Sequence, residues 1–162
     1  MILVRGGETM SRPIRKSHNK SILVYHLVCT VKYRRDVLTD EVATTITNVC
    51  LDIEDRYEIK FIEIGTDLNH IHYLIQSVPK LSLTQIITTI KSLTAKMVFK
   101  MNPEVKQKLW GGEFWSDGYW VVTVSQHSSE DAIRDYVSKQ GNGKYELLHK
   151  NEQIMSDLLD TD

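Results

Sequence analysis

The chain has 162 residues, 41% of them hydrophobic and 25% charged, with a formal net charge of -1 at pH 7. That is the composition of one ordinary globular domain, and it excludes collagen-like, disordered and disulfide-scaffold classes. No run approaches the ~20 consecutive apolar residues of a membrane helix, Met1–Val4 is too short an apolar stretch for a secretory signal, and the two cysteines, Cys29 and Cys50, both lie in apolar segments, so a reduced, cytoplasmic protein is expected.

Charge is distributed unevenly along the chain. Residues 1–35 carry eight Lys or Arg against Glu8 alone, whereas residues 145–162 carry five acids against Lys150. A polyanion has a basic first third to dock on, although a solvated surface without a partner has the same composition.

Residues 1–17 lack periodicity, contain Gly6, Gly7 and Pro13, and are expected to form a mobile N-terminal arm before a single domain over 18–162, with its core over 21–127. Ser21 to Lys32 is β-branched and aromatic on both faces, which predicts a central strand. Helical spacing of Val42, Ile46, Val49 and Ile53 follows over 39–57, capped by Thr39 or Asp40. Two strands are predicted at 58–65 and 70–77, around the turn residues Gly65, Thr66 and Asp67. Ser82 with Gln85 makes a capping box for a second helix, which Asn102-Pro103 ends. Tyr119–Ser125 reads as a fourth strand. Helices are expected over 128–141, closed by Gly141-Asn142-Gly143, and over 145–160. The order strand–helix–strand–strand–helix–strand predicts an α+β fold, the split βαβ sandwich of ferredoxin-like and RRM-like proteins. In that fold both helices cover one face of an antiparallel sheet and the other face is left open for a site.

Three features carry chemistry. In Asn69-His70-Ile71-His72, strand alternation puts His70 and His72 on one face and Ile71, Tyr73 and Ile75 on the other. Two such imidazoles grip one divalent metal if a third ligand joins them, or else simply occupy the wet face of a strand. Tyr136 and Gln140, four apart, share a helical face. A tyrosine oxygen there can attack a phosphodiester and an amide oxygen can ligate a metal, while Ile133, Tyr136, Val137 and Gln140 also fit a packing stripe. The stretch Trp110–Trp120 holds all three tryptophans; exposed, its rings would stack unpaired bases, and buried they would pack on the sheet edge. His26, in mid-strand, reads as a satisfied core histidine. No phosphate-binding glycine loop, Cys-x-x-Cys pair or Gly-x-Ser-x-Gly elbow is present. The aromatic signature of an RNA-recognition sheet is also missing, which weakens the reading as a pure binding module.

Five blocks in order, from about Ser21 to Gln140, resemble the HUH-type single-tyrosine transposases of the smallest prokaryotic insertion sequences, the IS200-like family. They are Tyr25-His26-Leu27-Val28 with Lys32-Tyr33-Arg34-Arg35, then Asn69-His70-Ile71-His72, Ser82-Leu83 to Lys91, Trp115-Ser116-Asp117-Gly118-Tyr119, and Tyr136 with Gln140. The resemblance implies that His70, His72 and Gln140 are metal ligands for Mg²⁺ or Mn²⁺ and that Tyr136 is the nucleophile, giving a 5′-phosphotyrosine and a free 3′-OH. It further implies single-stranded DNA hairpins as substrate and a homodimer with the tyrosine serving its partner's histidines. Lys32, Arg34, Arg35, Lys91 and Trp115 are the expected DNA contacts. Asn69 is a departure, since many relatives carry Asp before the first histidine, and it leaves open what orients that imidazole.

Overall fold

The computed structural model describes residues 14–124 and the pair 145–146. In chain order the elements are β1 (Ile14–Lys16), β2 (Asn19–Ser21), β3 (Leu23–Thr30), α1 (Asp40–Arg56), β4 (Ile59–Thr66), β5 (His70–Ser77), α2 (Leu83–Met101), α3 (Pro103–Lys108), β6 (Trp120–Val124) and β7 (Tyr145–Glu146). The last five strands form one sheet in the order β6-β3-β5-β4-β7, with every neighbouring pair antiparallel. Leaving β7 aside, that is the strand order of the split βαβ sandwich.

Alternation along the strands divides the sheet into two faces. Leu27, Cys29, Phe61, Ile64, Ile71, Tyr73 and Ile75 point to the helix side, where they join Val42, Ile46, Cys50 and Ile53 of α1 and Ile86, Ile90 and Val98 of α2 in one core. Each such fully buried aliphatic or aromatic side chain contributes roughly 1.5–3 kcal/mol relative to exposure. On β4 the register slips between Phe61 and Glu63. This bulge leaves Ile62 unpaired and returns Ile64 to the core face, which strict alternation from Phe61 would not do. Ile62 instead joins Val24, Leu74 and Val124 in a smaller cluster on the opposite face.

The helix starts are those expected. Thr39 Oγ1 accepts from the Val42 N–H at 3.4 Å, and Ser82 and Gln85 complete the reciprocal capping box. Asn102-Pro103 is a junction and not only an end: Asn102 closes α2 through its N–H to the Val98 carbonyl, and Pro103 opens the short α3 at its first turn.

Two boundaries differ from expectation. Residues 14–16, counted with the N-terminal arm on composition, pair with Asn19–Ser21 across a two-residue turn, and Lys16 makes an ion pair with Glu58. Tyr145–Glu146, expected as the first turn of the last helix, extend along the free edge of β4 opposite Ile64 and Gly65. An edge strand offers unpaired backbone groups, and pairing with them outweighs a weak local helical preference. The rest of the predicted helices over 128–141 and 145–160 lies outside the described residues.

Candidate active site

The sheet face opposite the helices carries the polar side chains of the strand pattern, and His26, His72 and Gln76 are buried there. Val28 pairs with His72 and Thr30 with His70 across β3 and β5, and Gly65 of β4 lies across from His72 on the other side, so that strand brings no side chain beside it. His70 and His72 are neighbours, with ring centroids 5.1 Å apart. Below them Ile71, Tyr73 and Ile75 are fully buried on the helix side. The pair is therefore held by a strand that the core fixes in register.

Each imidazole has a partner for one nitrogen. His70 Nδ1 lies 3.0 Å from Asn69 Oδ1. The Asn69 amide is oriented by its own donation to Asp36 Oδ1 at 2.9 Å, so its oxygen faces the histidine. An amide oxygen only accepts, so His70 Nδ1 carries the proton and the lone pair remains on Nε2. Asn69 thus does what an aspartate would do at that position, with the carboxylate of Asp36 standing one hydrogen bond further out.

His72 Nδ1 lies 3.0 Å from His26 Nε2, both side chains are buried, and the two rings stack at 5.3 Å. Trp120 meets His26 edge-on at 5.4 Å. The arrangement in which His72 Nδ1 donates to His26 leaves His72 Nε2 as an open acceptor. That atom is buried and has no hydrogen-bond partner among the described residues. Burial, with His26 and His70 nearby, depresses the His72 pKa from 6.5 to about 4, and burial lowers that of His26 as well. Both rings are neutral at pH 7, the form in which imidazole binds a metal.

These donors fit a divalent ion. His72 presents an orphaned nitrogen and the His70 tautomer leaves a second, while imidazole suits Mn²⁺ better than Mg²⁺ by softness. Among the described residues no group of three or more His, Cys, Asp or Glu could hold a metal ion, so the two histidines need a ligand from elsewhere. Gln140, the expected third ligand, and Tyr136, the expected nucleophile, lie outside the described residues.

The expected DNA contacts separate by environment. Arg34 and Arg35 are exposed on the turn after β3, where Tyr33 and Arg34 both take left-handed backbone conformations, at φ 57° and 50°. For residues with side chains this costs roughly 1–2 kcal/mol each. Lys32 makes ion pairs with Glu113 at 2.6 Å and Asp117 at 3.5 Å. Lys91 directs its ammonium at the carbonyls of Ser116, Asp117 and Gly118, at 2.6, 3.3 and 3.1 Å. Trp115, expected as a stacking surface, is buried, and its indole N–H donates to Thr94 Oγ1 at 2.9 Å. These last three side chains fasten the 113–118 loop to β3 and α2, because short runs of backbone at the sheet edge need anchoring that the ladder does not supply. Among the described residues the exposed rings are instead Tyr33, Tyr57, Trp110, Tyr119 and Trp120. His26 and the Asp36–Asn69 link were not legible as site residues, because only strand pairing and loop packing bring them to the histidines.

The described residues thus form a ferredoxin-like sheet with His70 and His72 side by side on the face opposite the helices. Residues 19–140 match the transposase IS200-like family, and the chain belongs to that family. It is 32% identical over 118 residues to the ISDra2 transposase TnpA of Deinococcus radiodurans, covering 73% of this chain and 84% of that protein. It is 27% identical over 124 residues to the transposase for insertion sequence element IS200 of Salmonella typhimurium, covering 76% and 80%. A crystal structure of a candidate transposase from Deinococcus radiodurans superposes with a TM-score of 0.64 at 28% identity, over 79% of this chain and 98% of that one. A REP-associated tyrosine transposase bound to a REP hairpin shares the fold, with a TM-score of 0.51 at 9% identity over 76% and 68% of the two chains. Among the described residues no helix is long and apolar enough to cross a membrane.

Proposed function

We propose that this transposase binds single-stranded DNA hairpins at the ends of its insertion sequence, nicks one strand through Tyr136, and rejoins strands for excision and insertion. The observation that carries the reading is the buried Nε2 of His72, unpartnered among the described residues, beside His70 on the sheet face opposite the helices, in a chain of a DNA-transposing family. Tyr136 and Gln140 take their roles from the match of residues 19–140 to that family, and the hairpin substrate is supported by the REP-hairpin complex of the structural neighbour.

Mg²⁺ or Mn²⁺, held by His70, His72 and Gln140, would supply charge neutralisation at a non-bridging phosphate oxygen and fix the scissile bond in line. The protein's own work is threefold. Asn69 and His26 fix the tautomers and planes of the two imidazoles through Nδ1. The low pKa of His72 keeps it unprotonated across the physiological range. Tyr136 loses its phenolic proton, attacks phosphorus and holds the 5′-phosphate as an ester while the 3′ oxygen leaves. The resulting 3′-OH attacks a second phosphotyrosine, so bond energy is conserved and no nucleotide cofactor is required.

Incubation of the protein with Mn²⁺ or Mg²⁺ and single strands spanning both ends of its genomic locus tests this reading. An SDS-stable protein–DNA adduct is expected, lost with Tyr136→Phe and with EDTA. Tight hairpin binding without an adduct would make the chain a binding module. The proposed homodimer places Tyr136 of each subunit at the histidines of the other. Mixing Tyr136→Phe with His70→Ala subunits should therefore restore part of the cleavage, and mixed dimers that stay inactive would exclude the shared arrangement.

A further inference from the structure

The turn after β3 and the loop after α3 meet at a feature that the histidine site does not use. Tyr33 and Trp110, 77 positions apart in the chain, stack nearly parallel, with ring centroids 5.4 Å apart and planes at 12°. Both remain exposed, at 53% and 69%, so the stack buries little of either ring and leaves the outer face of Trp110 to solvent. Large rings held flat against each other in water, with one face open, form a platform and not a core.

The backbone is bent to make this platform. Tyr33 and Arg34 sit at positive φ although neither is Gly or Asn, so the position keeps a ring and a guanidinium where a residue without strain would serve a plain turn. Across the contact, Gly111 and Gly112 take φ of 112° and 76°, and a side chain at Gly111 would reach to 3.8 Å from the Tyr33 hydroxyl. Beside the stack opens a depression of about 590 Å³ lined by Tyr33, Arg34, Arg35, Asp36, Val37 and Lys108. Among the described residues none of its three cations is in an ion pair, and its carboxylate, Asp36, is engaged with Asn69. Through Asn69 its Asp36 is linked to His70.

We propose that the Tyr33–Trp110 stack and the adjoining depression form a subsite for single-stranded DNA, in which an unpaired base stacks on the outer face of Trp110 and the flanking phosphates meet Arg34, Arg35 and Lys108. This deepens the DNA-binding reading above and rests on it. Stacking accepts every base, because every base has a π face, so the subsite grips the strand without reading its sequence. The arginines and Lys108 add a salt-dependent attraction to the backbone.

The test uses the full chain, a short labelled oligothymidylate, and an oligomer of equal length and charge made of abasic residues. The wild type should bind the thymidylate more tightly. Trp110→Ala and Tyr33→Asn should weaken thymidylate binding by about 5- to 150-fold and leave the abasic oligomer unaffected. Asparagine is chosen at 33 because it tolerates the left-handed conformation, so the fold is preserved. Arg34→Gln with Arg35→Gln should weaken both oligomers alike and flatten the salt dependence, by about 0.7 in logarithmic slope per arginine. If the wild type binds thymidylate and the aromatic variants bind it equally well, the stacking subsite is wrong while the DNA-binding reading stands. If the wild type binds neither oligomer, both fall together.

Discussion

Strand β5 carries two buried polar atoms without a hydrogen-bond partner among the described residues, on adjacent positions and opposite faces: His72 Nε2 and the Tyr73 hydroxyl. Tyr73 points into the helix-covered core, edge-on to Phe61 at 5.7 Å, where burial raises its pKa well above the usual phenol value. His72 lies on the opposite face, one nitrogen held by His26 and the other buried without a partner among the described residues. The same formal defect has opposite meanings. An unsatisfied hydroxyl in a closed apolar core is a tolerated penalty, whereas an unsatisfied, neutral imidazole next to a second one is the donor that the proposed metal site requires.

Substitutions at and around these two atoms should break the symmetry between them. The largest expected effect is on chemistry: His72→Ala should reduce metal-dependent adduct formation at least about 100-fold, since even changes one shell out from a metal cost 10- to 100-fold. Tyr73→Phe should leave the adduct intact on the same gel. An unchanged adduct in His72→Ala would remove the metal-site reading of that face.

Between the two, Ile71→Ala should destabilise the fold by roughly 2–5 kcal/mol in urea titration, because Ile71 is fully buried and its loss leaves a cavity beneath the histidines. The pH dependence should separate the faces next. His72 has its pKa lowered from 6.5 to about 4 in the folded state, so the unfolded chain takes up the proton first as pH falls. The corresponding stability is fully present above pH 6.5 and is lost as pH falls toward 4. His72→Phe should flatten that part of the metal-free stability profile, and Tyr73→Phe should not alter it.

Asp36→Ala should weaken Mn²⁺ binding by about 10-fold in titration calorimetry without a large change in folding, since the exposed Asp36 acts on His70 only through Asn69. The smallest effect belongs to the core atom. Tyr73→Phe removes a buried unsatisfied hydroxyl and should be neutral or stabilise by about 1 kcal/mol. A clear loss of stability would mean that the hydroxyl has a partner outside the described residues.

Much of the fold was readable because it rests on local chemistry. The Thr39 and Ser82 caps, the β-branched run of β3 and the apolar stripes of α1 and α2 each act within a few residues, whereas the turn expected at Gly65, Thr66 and Asp67 falls on residues 67–69, because Gly65 and Thr66 pair with β5. The bulge at Ile62 and the pairing of Tyr145–Glu146 with β4 depend instead on what the neighbouring strand offers. At the site, strand alternation alone puts His70 and His72 on one face. The same stretch of sequence could not distinguish Trp115 from Trp110, because composition makes both aromatic and only packing decides which one is buried.

The sequence by itself therefore determined the strand–helix–strand–strand–helix–strand order of the core from β3 to β6, the shared face of His70 and His72, and the family. Tertiary structure alone decided what holds those imidazoles. His26 reaches His72 because β3 and β5 pair with His26 opposite Leu74 and Val28 opposite His72, which makes the two histidines diagonal neighbours. A slip of one residue would turn His26 into the core. Asp36 reaches Asn69, and through it bears on His70, because the segment after β3 folds back onto the β4–β5 loop, through the Val31 N–H to the Asn69 carbonyl and the Leu38 N–H to the Leu68 carbonyl. Register and loop docking are set by burial summed over the whole sheet, and that sum is not contained in any short stretch of the chain.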